Sequence, residues 1–182
     1  MGLYIKEYQI IFEVFYMARK PGSMYHDVKQ QSFTRKEYMG GVPVSRITQF
    51  VLGNKKGIFP VQLILYANDR CQIRHTALES ARIAANRELE KKVGISDYRL
   101  TVNVYPHHVL RENKQATGAG ADRVSQGMRA SFGKIVGTAA RVKPNQEIMI
   151  VETFGRNIEY SRGALRKAAS KLPLSCKIKF AS

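Results

Sequence analysis

The sequence contains no tryptophan, only two cysteines and few acidic residues, and each shortage narrows what the chain can be. Cys71 and Cys176 lie far apart and neither belongs to a CxxC pair, which excludes a zinc knuckle or ribbon. The two could form one disulfide, but two reduced, partly buried thiols are expected of a cytoplasmic protein. No apolar run reaches the ~18 residues that a membrane span requires, which weakens a membrane assignment.

The shortage of acidic residues leaves a large positive charge. Lys and Arg number 30 against 14 Asp and Glu, for a net charge of +16, and the pI is about 10.1. Such a chain repels itself unless a polyanion neutralises it, so nucleic acid is the first candidate partner and an anionic membrane surface the second. With 182 residues and 44% hydrophobic content, the chain predicts one domain with a real core.

Catalytic patterns are also missing. The only His pair is His107 and His108, whose side chains point apart if they end a strand, and no HExxH spacing accompanies them. Gly-Ala-Gly at 118–120 begins a dinucleotide fingerprint, but position 123 is Arg, so the fingerprint fails. Acidic residues are too scattered to indicate a two-metal nuclease, although one assembled in space stays open. We therefore predict no catalytic residue, no metal site and no cofactor.

Apolar periodicity predicts an α+β layer architecture. Thr76 and Glu79 form a capping-box pattern for a helix that ends near Gly94, and Asn157 is the expected cap of a second helix that stops at Pro173. The turn at 144–145 is interpreted as a hairpin between two strands. Strands are predicted at 47–52, 61–67, 98–104, 136–142, 147–153 and 176–180, with a short helix at 122–132.

The N-terminal part divides in two. Residues 1–16 carry one Lys and two Glu, a net charge of −1, and are predicted to be an extension preceding a working start at Met17. The other interpretation is an extra strand docked on the sheet. Residues 18–46 form a basic arm in which rings interleave with cations, and the rings either stack on RNA bases or anchor the arm to its own core.

The chain between 105 and 123 has few large apolar residues, and a loop of this length is usually functional or disordered. We predict a long flexible loop that projects from the body toward a polyanion. Its candidate contact residues are His107, His108, Arg111, Asn113, Lys114, Gln115, Gly118, Gly120 and Arg123.

Candidate RNA contacts elsewhere are cations in irregular or junction positions. A charged helix face is usually only solvated, so the basic face of the first helix is the weaker candidate. The predicted RNA-binding residues are Arg19, Lys20, Lys29, Arg35, Lys36, Lys55, Lys56, Arg74 and His75.

Several motifs of the chain form a long and specific set: MARKPGSMY (17–25), DVKQQ (27–31), QIRH (72–75), ARIAANR (81–87), the loop 105–123, GMR (127–129) and FGK (132–134). Together they resemble one known family, the universal large-subunit ribosomal protein sixteen family in its archaeal and eukaryotic "ten-e" branch. The resemblance runs from Met17 to about Phe180 without a large gap. One departure is His26, where relatives are expected to have Arg, which would weaken a phosphate contact at neutral pH.

The resemblance implies an α/β-hammerhead-like two-layer domain over residues 17–182 and a structural role on the cytoplasmic ribosome. It implies binding to large-subunit rRNA near the A site, with the loop at 105–123 projecting toward tRNA and the peptidyl transferase centre, and a part in late subunit assembly. The implied partners are rRNA, tRNA and neighbouring ribosomal proteins, with no membrane and no dedicated homo-oligomer. In eukaryotic relatives an escort protein holds the N-terminal segment.

Two other functions remain open from sequence alone. One is an RNA-modifying or RNA-cleaving enzyme that uses the loop as a lid, against which the missing acid–base or metal cluster argues. The other is a free-standing regulatory RNA-binding module, which co-sedimentation with large subunits would distinguish from a ribosomal component.

Overall fold

The computed structural model describes residues 21–26, 28–113, 119–120, 123, 129 and 132–181. Several predictions fall outside these ranges: the extension 1–16, most of the short helix at 122–132, and the candidate contacts Arg19, Lys20, Lys114, Gln115 and Gly118.

Strands and helices alternate irregularly along the described chain, which confirms the predicted α+β class. The helices are α1 (His75–Lys92) and α2 (Ile158–Ala169). The strands are β1 (Val51–Gly53), β2 (Val61–Ala67), β3 (Cys71–Arg74), β4 (Tyr98–Val102), β5 (His108–Glu112), β6 (Lys134–Val142), β7 (Glu147–Thr153) and β8 (Cys176–Phe180).

The strands form two antiparallel sheets, one of five strands in the order β1-β4-β7-β2-β8 and one of three in the order β3-β6-β5. In the larger sheet β2 is an interior strand between β7 and β8, and its Leu63, Leu65 and Ala67 are fully buried. Helices α1 and α2 pack on each other, and their buried Leu89 and Leu165 join the same apolar core as both sheets. In the smaller sheet β6 is central, so β3 and β5 are its two edge strands.

The predicted hairpin at 144–145 is wrong, although the turn itself is present. Asn145 has a φ of 59°, as a turn residue should. Strand β6 pairs with β3 and β5, whereas β7 pairs with β2 and β4, so the turn carries the chain from one sheet to the other. Turn chemistry specifies that the chain changes direction, but not which strand each segment will pair with.

The beginning of α1 also differs from the prediction. Arg74, not Thr76, occupies the N-cap position, and no side chain caps the helix. Glu79 pairs with Arg82 at 2.5 Å. The residues immediately before the helix form strand β3, which runs into the helix without a separating turn. The predicted end is confirmed: Gly94 has a φ of 92° and donates its N–H to the Leu89 carbonyl.

The stretch 105–123 is not a loop throughout. His108–Glu112 is strand β5, paired with β6, and within it Val109 is only 1% exposed. Two apolar residues, Val109 and Leu110, together with backbone pairing to β6, are enough to fix this part in the sheet. Within this stretch, the described residues that belong to no strand are 105–107 and those after Glu112.

Candidate nucleic-acid interface

We call residues 21–26 and 28–33 the N-terminal segment, and this irregular chain lies against the folded body. His26 places its Nε2 atom 2.8 Å from the Pro173 carbonyl oxygen. The Arg74 guanidinium lies 5.3 Å from the centre of the Tyr25 ring, which packs against the core. Of the two interpretations of the rings, Tyr25 therefore fits anchoring to the chain's own core. His26 also has its contact within its own chain. Tyr38, further along the arm, is 75% exposed.

Phe33 fastens the segment to the edge of the smaller sheet. Its N–H donates to His108 Nδ1 at 3.0 Å, and its carbonyl accepts from the Val109 N–H at 2.9 Å. The Phe33 ring stacks on the His108 ring with centroids 5.9 Å apart. Edge strand β5 is thus partly covered by the chain's own N-terminal segment, which removes an exposed pairing edge.

His108 is only 6% exposed, in contrast to its predicted place on a projecting loop. Burial lowers its pKa to about 4, and the positive charge of Arg141 acts in the same direction. The ring is therefore neutral at pH 7, and an unprotonated Nδ1 is what the Phe33 N–H requires.

Arg141 holds the segment from strand β6. Its guanidinium donates to the Gln30 carbonyl, and to the Gln31 carbonyl at 3.3 Å. Burial lowers the pKa of this arginine, because the charged group has lost part of its water. Within the described ranges it forms no ion pair with a carboxylate.

A β-bulge positions Arg111. The register between β5 and β6 shifts between Leu110 and Arg111, and such bulges re-aim a side chain. The Arg111 guanidinium lies 4.3 Å from the centre of the Phe132 ring and donates to the Gly133 carbonyl at 3.2 Å. Phe132 in turn meets Phe33 edge to face at 5.9 Å.

These side chains surround an open depression of about 540 Å³, which we call the cationic groove. None of the described residues that line it is Asp or Glu. Its walls combine positive charge, flat rings and an amide, the mixture that recognises single-stranded RNA. The lining residues are Lys29, Gln30, Phe33, Gln72, His108, Val109, Leu110, Arg111, Phe132 and Arg141.

The other predicted RNA-binding residues are distributed over nearby and separate positions. Arg35 and Lys36 are exposed just after the N-terminal segment, at a short 3₁₀ helix. Arg74 lines a smaller depression of about 160 Å³, and His75 Nδ1 accepts the Arg46 N–H at 3.0 Å. Exposed Lys55 and Lys56 instead occupy the turn between β1 and β2, outside both depressions.

Ion pairing separates two groups of cations. In the described part of the chain, six ion pairs neutralise Arg82, Lys92, Arg99, Arg156, Arg162 and Lys167. None of these six is a predicted RNA contact. Lys29, Arg35, Lys36, Lys55, Lys56, Arg74 and Arg111 take part in none of those pairs. Their charge therefore stays available to an external anion.

Among the remaining loop residues, His107, Gly120 and Arg123 are exposed. The His107 ring lies 4.6 Å from the half-exposed Tyr105 ring, tilted by 44°, and the Tyr105 ring stacks on Phe50 with centroids 5.5 Å apart. Gly120 has a φ of 80°, and its carbonyl accepts the N–H of Arg123. Asn113 is half-buried where β5 ends.

Sequence reasoning missed Arg141 and Phe132 as groove residues. A signal existed for Arg141, since it is the one cation within the otherwise apolar run from Ile135 to Val142. No local signal marked Phe132, whose importance comes from Arg111 and Phe33 beside it.

The described residues were also expected to lack a metal site and a membrane span. Among the described residues, no group of three His, Cys, Asp or Glu side chains could hold a metal ion. No helix in the described ranges is long and apolar enough to cross a bilayer. Cys71 is buried and Cys176 is half-buried, and both are free cysteines.

Comparison with known proteins gives one consistent result. The family described as ribosomal protein L16p/L10e matches residues 28–179. A protein of Methanosphaerula palustris is 57% identical over 157 residues, covering 86% of this chain and 91% of that relative. A protein of Thermoplasma acidophilum is 54% identical over 162 residues, covering 89% of this chain and 92% of that relative. Both relatives are named large ribosomal subunit protein uL16. The chain therefore belongs to the ribosomal protein L16p/L10e family of the large ribosomal subunit, and its role there is structural rather than enzymatic.

Proposed function

We propose that this protein binds large-subunit rRNA near the A site, on cytoplasmic ribosomes, and that its loop reaches toward tRNA and the peptidyl transferase centre. The observation that carries the rRNA contact is the division among its cations. All six ion-paired cations of the described chain lie on or beside the helices and the larger sheet, whereas Lys29, Arg35, Lys36, Arg111 and Arg141, around the N-terminal segment, take part in no ion pair there. Unmatched positive charge attracts phosphates and positions the protein on folded RNA.

The domain layout belongs to the same proposal. Residues 17–182 form one domain and 1–16 an extension to it, and the family match over 28–179 supports this division. The basic arm at 18–46 positions the body on rRNA. The loop contributes on the tRNA side, with exposed His107 and Arg123 among its contacts.

Charge removal tests the rRNA face. Lys29→Gln, Arg35→Gln and Lys36→Gln together remove three exposed, unpaired cations. We expect weaker binding to deproteinised large-subunit rRNA and a salt dependence that falls by about 2–3 in log–log slope, since each phosphate contact contributes about 0.7–0.9.

A matched control removes three exposed helix cations. Arg87→Gln, Lys91→Gln and Arg166→Gln change the net charge equally and leave the proposed face intact. Equal loss of affinity and of salt slope in the two triple variants would contradict the proposal, because total charge alone would then explain binding.

The loop is tested by deletion. Removing residues 113–121 should leave large subunits that assemble and contain the protein at full stoichiometry but translate poorly. A control replaces the same residues by a Gly-Ser linker of equal length, which separates loop chemistry from loop closure. Normal translation by subunits carrying the deletion would refute the tRNA-side role.

A further inference from the structure

The cationic groove has the properties of a site for one ligand of defined chemistry. It brings together Lys29 from the N-terminal segment, Arg111 from β5 and Arg141 from β6. No carboxylate lines its described walls, so three positive charges face a shared space without a counter-ion. Charge complementarity therefore calls for an anion.

The two arginines have hydrogen-bonding capacity and charge that the described residues leave unused. Their Nε–H groups are buried and have no hydrogen-bond partner among the described residues. Each guanidinium uses its other nitrogens on backbone carbonyls, Arg111 on Gly133 and Arg141 on Gln30 and Gln31. Carbonyls orient the charges but do not neutralise them, so both are held ready for an incoming oxyanion.

The aromatic rings beside these charges indicate that the anion carries a flat group able to stack on them. The Arg111 guanidinium lies over the Phe132 ring, and the Phe33 ring meets Phe132 nearly at right angles, at 84°. Phe132 is 63% exposed and Phe33 is 37% exposed, so rings of this size are available to stack. Aromatic and guanidinium planes are the surfaces on which unpaired RNA bases stack.

From this arrangement we infer that the cationic groove holds one unpaired nucleotide of large-subunit rRNA. Its phosphate is neutralised by Lys29, Arg111 and Arg141. Its base stacks on the exposed ring of Phe132, beside Phe33. A volume of about 540 Å³ is of the size that proteins use for ligands of this kind. The inference rests on the proposed rRNA binding and assigns Arg111 to rRNA rather than to tRNA.

Occupation of the groove would also fix the N-terminal segment. One wall of the groove, Lys29 to Phe33, belongs to that segment, and the opposite wall belongs to β5 and β6. A nucleotide bound to both walls joins them, so rRNA binding and segment docking stabilise each other.

Photocrosslinking tests the site directly. Large subunits containing the protein are irradiated with ultraviolet light and digested, and peptides that carry a single nucleotide are mapped by mass spectrometry. We expect a nucleotide on Phe33, Phe132 or His108. Crosslinks to rRNA that fall only on other residues would overturn the inference and leave the proposed function standing. Failure of the protein to bind rRNA at all would overturn both.

A pair of matched variants provides the second measurement. Phe132→Leu keeps an apolar side chain but removes the ring, and we expect about tenfold weaker binding to deproteinised large-subunit rRNA. Phe180→Leu is the control, since Phe180 is also exposed and also has an arginine, Arg162, 5.6 Å from its ring, but lies outside the groove. Circular dichroism verifies that both variants fold. Equal affinities for the two variants would overturn the inference.

Discussion

Acid should release the N-terminal segment from the smaller sheet, because the segment is fastened to a neutral His108. The ring accepts the Phe33 N–H at 3.0 Å and stacks on the Phe33 side chain. Protonation would place a positive charge in a buried position beside Arg141 and would remove the accepting lone pair. The perturbation is therefore a fall in pH. The loss of unfolding free energy that it causes is compared between the wild type and a variant that cannot titrate at position 108.

The structure sets the size of the effect. The pKa of His108 is lowered from 6.5 to about 4, mainly by burial. One pKa unit corresponds to about 1.4 kcal/mol, so the full difference is about 3 kcal/mol. Screening by solvent at the sheet edge reduces the expected contribution to about 1–2 kcal/mol. Because the folded pKa lies below the unfolded pKa, this stability is present above pH 6.5 and is lost as the pH falls toward 4.

The assay is urea unfolding at about pH 7.5 and about pH 4.5, with His108→Asn as the variant. The Asn oxygen can accept the Phe33 N–H but does not titrate, so the variant should lose about 1–2 kcal/mol less than the wild type. His107→Asn, which changes the exposed neighbouring imidazole, should behave as the wild type. Equal pH dependence in His108→Asn and wild type, or an NMR titration of His108 centred near its ordinary pKa, would refute the reasoning.

Two further outcomes follow from buried contacts. Gly133→Ala should destabilise the protein by about 2 kcal/mol or more in urea unfolding, because φ is +76° and a Cβ would lie 2.6 Å from the Glu112 carbonyl carbon. Gly120→Ala, at a similar φ but with no atom of the described residues within 4 Å of the added Cβ, should cost about 1 kcal/mol, and equal losses would contradict the clash. Glu88→Gln should lower Tm at pH 7 and flatten its fall in acid, because the Glu88 carboxyl, whose pKa is lowered to about 2 chiefly by the hydrogen bond from Lys167, loses that stability between about pH 4.5 and 2. An unchanged acid dependence of Tm, followed by calorimetry, would argue against that ion pair.

The regular elements were predictable because their side chains repeat a simple period. Strands β2, β7 and β8 have the bounds that alternation and apolar content predicted, and α1 ends at Gly94 as expected. These features depend on residues close together in the chain. Dependence on neighbouring residues is also why β3 was missed. Its four residues lead directly into α1, whose helical periodicity is the stronger pattern.

The groove could not be derived in this way, because its chemistry comes from distant parts of the chain. Lys29, His108, Phe132 and Arg141 meet only after β5 and β6 have paired and the N-terminal segment has docked. The sequence identified Lys29 and His108 by residue type alone and assigned His108 to an exposed loop. The structure instead buries His108 in edge strand β5. There its neutral imidazole accepts the Phe33 N–H and is shielded from water.

The N-terminal segment is synthesised long before the residues that it contacts in the folded protein. His26 contacts Pro173, separated by 147 positions, and Phe33 contacts His108, separated by 75. During translation the segment therefore emerges long before the residues that receive it have been made. A basic, ring-bearing strip of chain is exposed throughout that interval, open to any acidic binder nearby. Some of the earliest residues of the nascent protein thus complete their contacts only when nearly all of the chain has been synthesised.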